Sequence, residues 1–256
     1  MRYLFFVGLF GFFSLSALGQ TITVRNSLNP DAPIARDSLA LIEGTAFTTV
    51  SVFDPFTMPM DSTTTTLGGV SVTIDGIPQR IRFVSPTQVE IVVSGAGRAS
   101  RALQLRTSTN VIHNTSINVA SVWPSLPVQN TGDESDAYYP AGYWTIDPLG
   151  GTPTFFSLTS APIPVGTRSN PTKVFIEVSG LRRRGSGHGV SVRLNGIQCT
   201  VVMVGPSFFA GQNVLTFEIP FFLAGNGVMD LIIAVDGRSS NLARLNLGGS
   251  AGLTGN

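Results

Sequence analysis

The chain repeats itself, and the length of the repeat limits what it can fold into. Residues 69–77 read Gly69-Val70-Ser71-Val72-Thr73-Ile74-Asp75-Gly76-Ile77. Residues 189–197 read Gly189-Val190-Ser191-Val192-Arg193-Leu194-Asn195-Gly196-Ile197, an offset of 120 positions. The offset persists at Val84-Ser85-Pro86 against Val204-Gly205-Pro206. A match that runs through a turn and into the following strand indicates one structural unit used twice. An offset of this size suits tandem whole domains and not a solenoid of short repeats.

The repeated unit reads as β-structure. Val70-Ser71-Val72-Thr73-Ile74 alternates apolar and polar residues, the pattern of a half-buried strand. Asp75-Gly76 and Asn195-Gly196 are tight hairpin pairs, because both residues of each tolerate positive φ. Strands follow at Arg80-Ile81-Arg82-Phe83-Val84 and Thr200-Val201-Val202-Met203-Val204. The second copy carries an insertion after Pro206, so that Val89-Glu90-Ile91-Val92-Val93 matches Leu215-Thr216-Phe217-Glu218-Ile219 at an offset of 126. Upstream strands are expected at 39–43 and 174–178. Downstream strands are expected at 102–106, 116–119, 229–235 and 242–247. Many short strands with closely spaced turns, and no amphipathic helix, predict an all-β fold of two tandem immunoglobulin-like β-sandwich domains.

The ends and the composition narrow the setting. Arg2, the apolar run from Leu4 to Leu15 and the small-residue site Ala17-Leu18-Gly19 form a cleavable export signal over residues 1–19. No later apolar run is long enough to span a bilayer. The first domain is then residues 20–121 and the second 122–248. The second opens with an aromatic-rich segment at 122–153, after which its own strands begin, and a flexible tail covers 249–256. Net charge is +1 and charged residues make up 12% of the chain, which argues against a nucleic-acid partner. Cys199 is the single cysteine and cannot form an internal disulfide. Its strand-like surroundings predict a small buried hydrophobe.

Catalytic and metal signals are weak. Gly248-Gly249-Ser250-Ala251-Gly252 spells the nucleophile-elbow pattern, but in a Gly-rich tail without a His or acid partner at hand. His113 and His188 stand alone, without metal-ligand spacing. Asp133, Glu134 and Asp136 offer hard oxygens but lack the spacing of a calcium loop. Arg182-Arg183-Arg184 has no interleaved aromatic platform and reads as a solvated loop. No catalytic residue, metal ligand or cofactor is assigned. The distinctive stretch is aromatic: Trp123, Tyr138, Tyr139, Tyr143 and Trp144 are all the Trp and Tyr beyond Tyr3. Exposed rings of this kind stack on sugars or anchor protein interfaces. The competing expectation is that Trp123 and several of the Tyr bury themselves between the two domains.

Several motifs, taken in order, resemble a known family. They run from Asp31-Ala32-Pro33-Ile34-Ala35-Arg36-Asp37-Ser38-Leu39 through Leu67-Gly68-Gly69-Val70-Ser71-Val72 and Val84-Ser85-Pro86-Thr87-Gln88. They continue at Ala161-Pro162-Ile163-Pro164-Val165-Gly166, Ser179-Gly180-Leu181-Arg182 and Val235-Asp236-Gly237-Arg238-Ser239-Ser240-Asn241. Together they resemble the acidobacterial repeat family described as the Solibacter C-terminal domain. Its halves are similar to IPT/TIG-type immunoglobulin-like domains. The resemblance implies a secreted or surface Ig-like tandem and supplies no functional positions to carry over. The expected function is a non-enzymatic exported adhesion or binding module, located outside the cell, on its surface or in the periplasm. It would recognise an extracellular polysaccharide or a surface protein. The alternative is a purely structural part of a cell-envelope assembly, held by β-edge pairing, with no small ligand.

Overall fold

The computed structural model describes residues 21–54, 64–95, 100–130, 138–147, 152–159, 161–182, 184 and 189–251. Among them every regular element is a strand, apart from one 3₁₀ turn at Phe221–Leu223. The expected signal peptide, the acidic run 133–136 and His188 lie outside the described residues. No described helix is long and apolar enough to cross a membrane.

The first half holds β1 (Thr23–Asn26), β2 (Ile34–Ala35), β3 (Leu39–Glu43), β4 (Val52–Phe53), β5 (Thr66–Leu67) and β6 (Val70–Ile74). It continues with β7 (Ile77–Pro78), β8 (Arg80–Val84), β9 (Gln88–Val92), β10 (Ser100–Arg106) and β11 (Ile112–Ala120). They form two sheets in the orders β1-β3-β9-β8-β4 and β2-β11-β10-β6-β5. The first edge strand is shared between them: β1 lies antiparallel to β3, and β2 then crosses to lie parallel to β11. This is the two-sheet arrangement of an immunoglobulin-like sandwich. Strand alternation accounts for it. Val70, Val72 and Ile74 of β6 and Leu103 and Leu105 of β10 point inward to meet Ile42, Ile81, Val89 and Ile91.

The second half holds β12 (Val128–Asn130), β13 (Tyr138–Pro140), β14 (Gly142–Thr145), β15 (Phe156–Ser157), β16 (Ile163–Val165) and β17 (Lys173–Ser179). Then come β18 (Ser191–Leu194), β19 (Ile197–Pro206), β20 (Gln212–Glu218), β21 (Gly227–Val235), β22 (Arg238–Ser239) and β23 (Ala243–Ser250). The path β15-β14-β17-β20-β19-β18-β21-β23-β16 folds into two faces because β19 serves both. Its start pairs with β18 and its remainder with β20. A separate core, including Ile176, Val192, Leu194, Leu215, Phe217 and Leu231, fills the space between them.

The two halves share turn geometry and register. Asp75 and Gly76 have φ of 51° and 77°, and Asn195 and Gly196 have 45° and 83°, as tight hairpin turns require. Asp75 exchanges two hydrogen bonds with Ala102, through its amide (2.8 Å) and its carboxylate (2.9 Å). Asn195 makes the same pair with Asp230, at 2.8 and 2.7 Å. The bulge between Ile81 and Phe83 recurs between Val201 and Met203, at the offset of 120.

Two boundaries differ from the sequence expectation. The strands of the second sandwich begin at Gly142, not near 153, because β14 pairs with β17. The final strand runs to Ser250, inside the segment expected to be a tail. There Ser250 pairs with Val165, and the Ala251 amide donates to the Val165 carbonyl at 2.8 Å. Ser250 thus sits in a paired strand and not on a strand-turn-helix elbow.

A polar seam joins the sandwiches. The Asn26 side-chain amide of the first sandwich donates to the Ser125 hydroxyl (3.1 Å), while within the second sandwich the Ser179 hydroxyl donates to the Gly211 carbonyl (2.8 Å). The Leu39 amide reaches the Ser179 hydroxyl at 3.4 Å. Gly211 belongs to the insertion of the second copy. At φ +76°, a Cβ there would lie 2.7 Å from the Leu39 side chain. The insertion therefore docks one sandwich onto the other, and its glycine permits both the turn and the close approach.

Candidate binding surface

The site follows from the pleat of β14, which lies between β15 and β17. Neighbouring residues of a strand point to opposite faces, so Tyr143 and Trp144 cannot share one platform. Trp144 is 8% exposed, belongs to the second core, and stacks on Phe156 with centroids 4.6 Å apart. This corrects its expected place in an exposed ligand site: strand alternation directs the ring between the sheets. Tyr143 points outward and is 58% exposed. Trp123 is half-buried in the linker, with the Arg238 guanidinium 5.0 Å above its ring. Its carbonyl fills the space beside Gly180, where a Cβ would meet it at 2.1 Å. Tyr138 and Tyr139 lie in β13, and their side chains fall outside the described residues.

Tyr143 begins a cross-strand row. It pairs with Phe175, Phe175 with Thr216, and Thr216 with Met203. With strands about 4.8 Å apart, the row extends across the sheet for about 14 Å. Phe155, 56% exposed, meets Phe175 edge-on at 5.4 Å and thickens the row at its start. Met203 is also exposed, whereas Thr216 is covered. A second, polar row lies one pleat further along: Thr145, Lys173, Glu218 and Thr200. Lys173 is held by an ion pair with Asp147. Exposed aromatics beside a line of donors and acceptors match the chemistry of a flat binding face.

At its other end the face meets the seam. Glu177 pairs with Val214 in the next row and is half-buried. Burial pushes its carboxyl above the usual range, against the opposing pull of a Ser207 hydrogen bond and the Arg82 charge of the first sandwich. Arg82 is itself buried and forms an ion pair with Glu90 at 3.5 Å. Cys199 is buried, and burial pushes its thiol up to about 12, so it remains a protonated core side chain at neutral pH. Among the described residues no cluster of three His, Cys, Asp or Glu could hold a metal ion.

Sequence reasoning centred on Trp and Tyr missed Phe155, Phe175 and Met203. Phe175 was legible as the odd member of Val174-Phe175-Ile176, where inward and outward positions alternate. Its link to Met203 depends on pairing through β20 and has no local signature.

No model of a known protein family matches the chain, and no curated protein matches it. Among solved structures it is similar to the fibronectin(III)-like modules of Clostridium thermocellum CbhA. The identity is 12%, over 92% of this chain and 98% of that one, with a TM-score of 0.22. A likeness of that degree carries no argument about the site; the sandwich fold rests on the sheets themselves.

Proposed function

We propose that this protein is an exported, non-catalytic binding module of the Solibacter C-terminal-domain type, whose second sandwich holds a polysaccharide against its outer sheet face. The observation that carries this reading is the row Tyr143–Phe175–Thr216–Met203, bordered by Phe155 and by the polar row of Lys173, Glu218 and Thr200. Aromatic faces accept the C–H faces of pyranose rings, while flanking carboxylate, ammonium and hydroxyl groups bond ring hydroxyls. A second reading, a structural part of an envelope assembly, draws on β11. Among the described residues the strand ladder on its outer edge is formed at Val119 and Ala120, and the stretch from Asn114 to Asn118 offers an edge to a strand from another molecule.

Affinity electrophoresis through gels cast with single soluble polysaccharides tests the first reading. One polysaccharide is expected to retard the protein, and Tyr143→Ala combined with Phe155→Ala is expected to release it with an unchanged circular dichroism spectrum. Unaltered retardation of the double variant refutes the assignment of this face. Indifference of the wild type to every polysaccharide favours the structural reading.

A further inference from the structure

Beyond the aromatic row, the same sheet face ends in a cleft of about 270 Å³ beside the 3₁₀ turn. Arg168, Gln198, Thr200, Glu218, Phe221 and Phe222 contribute to its lining. We propose that this cleft is a subsite for a single neutral pyranose, located at one end of the glycan-binding face. The proposal rests on the polysaccharide reading above and adds where one ring sits and which residues select it.

The turn is built to present its rings. Leu223 is buried in the second core and anchors the turn, whereas Phe221 is 39% and Phe222 60% exposed. The Leu223 amide donates to the Pro220 carbonyl (3.0 Å) and the Ala224 amide to the Phe221 carbonyl (3.4 Å), so the backbone beneath the rings is held. Pro220, at φ −57°, is pre-set for the bend. Nothing in the fold demands these rings. In the first sandwich, by register, Val93 takes the place of Ile219, and Ser94 and Gly95 take the places of Pro220 and Phe221. The inward residue is apolar and buried in both copies, while the presented aromatics occur only in the second.

The lining sets the ligand class. The Arg168 guanidinium lies 4.8 Å over the Phe221 ring, which fixes planar donors at the rim. Glu218 and Gln198 supply acceptors, and Gln198 and Thr200 supply further donors. One cation and one carboxylate balance, so the lining favours an uncharged ring over a uronate or an amino sugar. The volume lies just under the roughly 300 Å³ lower limit of ordinary ligand pockets, which suits one ring with its far face in water. Glu218 pairs across the sheet with both Thr200 and Lys173, and Thr216, in the aromatic row, lies two residues before it on β20. A glycan bound on the row thus has a path of about 7 Å along the strand into the cleft.

Titration calorimetry with cellohexaose, xylohexaose, mannohexaose, laminarihexaose and hexagalacturonate tests the proposal on the purified protein. A neutral hexasaccharide is expected to bind, Phe222→Ala to weaken it at least ten-fold with an unchanged melting temperature, and Phe222→Tyr to restore most of the affinity. Should Phe222→Ala melt early, Gln198→Ala, at an exposed strand position, takes its place and is expected to weaken binding several-fold. Wild-type affinity in Phe222→Ala or in that substitute overturns the cleft and leaves the aromatic face intact. Binding of hexagalacturonate alone overturns the neutral assignment. Binding of none of the five overturns the subsite together with the face.

Discussion

The two sandwiches place the same strands under the same face and clothe that face differently. By register, Arg25, Leu41, Glu90 and Phe83 in the first copy occupy the places of Tyr143, Phe175, Thr216 and Met203 in the second. The first row is tied by ion pairs, Arg25 with Glu43 at 2.8 Å and Arg82 with Glu90 at 3.5 Å. The second exposes aromatic and thioether surface. Beneath them the cores stay alike: Ile42 matches Ile176, Val89 matches Leu215, and Ile91 matches Phe217, all buried. Inward positions must remain apolar and fill a fixed space. Outward positions are released from that demand, so they can differ freely: ion-paired in the first copy, aromatic and thioether in the second.

The largest expected effects test the claim of matched cores. Phe217→Ala should cost about 3–5 kcal/mol and its counterpart Ile91→Ala about 2–5 kcal/mol, read from urea unfolding. A loss below 1 kcal/mol at either position would show that the two cores are not equivalent.

The hairpin turns sharpen the comparison next. In the first copy Asp75 pairs with Arg101 at 2.9 Å, and Arg101 is buried. The matching positions are Asn195 and Met229, so the charged pair and the neutral pair each form a consistent set. Asp75→Asn should therefore destabilise by about 1–3 kcal/mol, because a buried guanidinium loses its counter-charge. Adding Arg101→Met should recover much of that loss. Equal effects of Asp75→Asn in the presence and absence of Arg101 would exclude the coupling.

Glu43 and Glu177 occupy matching positions with opposite titration behaviour. The Arg25 hydrogen bond holds the Glu43 carboxyl below the usual range. Its contribution is therefore present above the unfolded pKa and fades as pH falls through the folded value. Burial raises Glu177, so the folded state loses stability as pH rises from the unfolded pKa through the raised folded one. Glu177→Gln should thus raise the melting temperature at neutral pH and leave it unchanged below pH about 4, where the carboxyl is protonated in both states. Glu43→Gln should lower it at neutral pH. The same sign for both variants would contradict the contrast between solvent and seam.

The smallest effects on stability come from exchanging outer residues. Arg25→Tyr removes a part-exposed, solvent-screened ion pair and should leave the urea midpoint nearly unchanged. Tyr143→Arg should change stability by no more than about 0.5 kcal/mol while abolishing retardation by polysaccharide. A large loss of stability in Tyr143→Arg would assign the ring to packing instead of binding.

Much of the fold was legible in the residues. The Asp75-Gly76 and Asn195-Gly196 turns and the inward members of each strand follow from local rules: positive φ at two turn residues and a side-chain period of two. The insertion after Pro206 was legible as well, but not its task. Only tertiary structure could show that Gly211 packs on Leu39, that Trp144 turns inward while Tyr143 does not, and that Tyr143, Phe175 and Met203 form one row. A strand's pattern says which residues share a face, because the pleat is local. Which face is buried, which strand lies alongside, and which loop of the other sandwich covers it are set by contacts between residues far apart in the chain, and no short stretch of sequence encodes them.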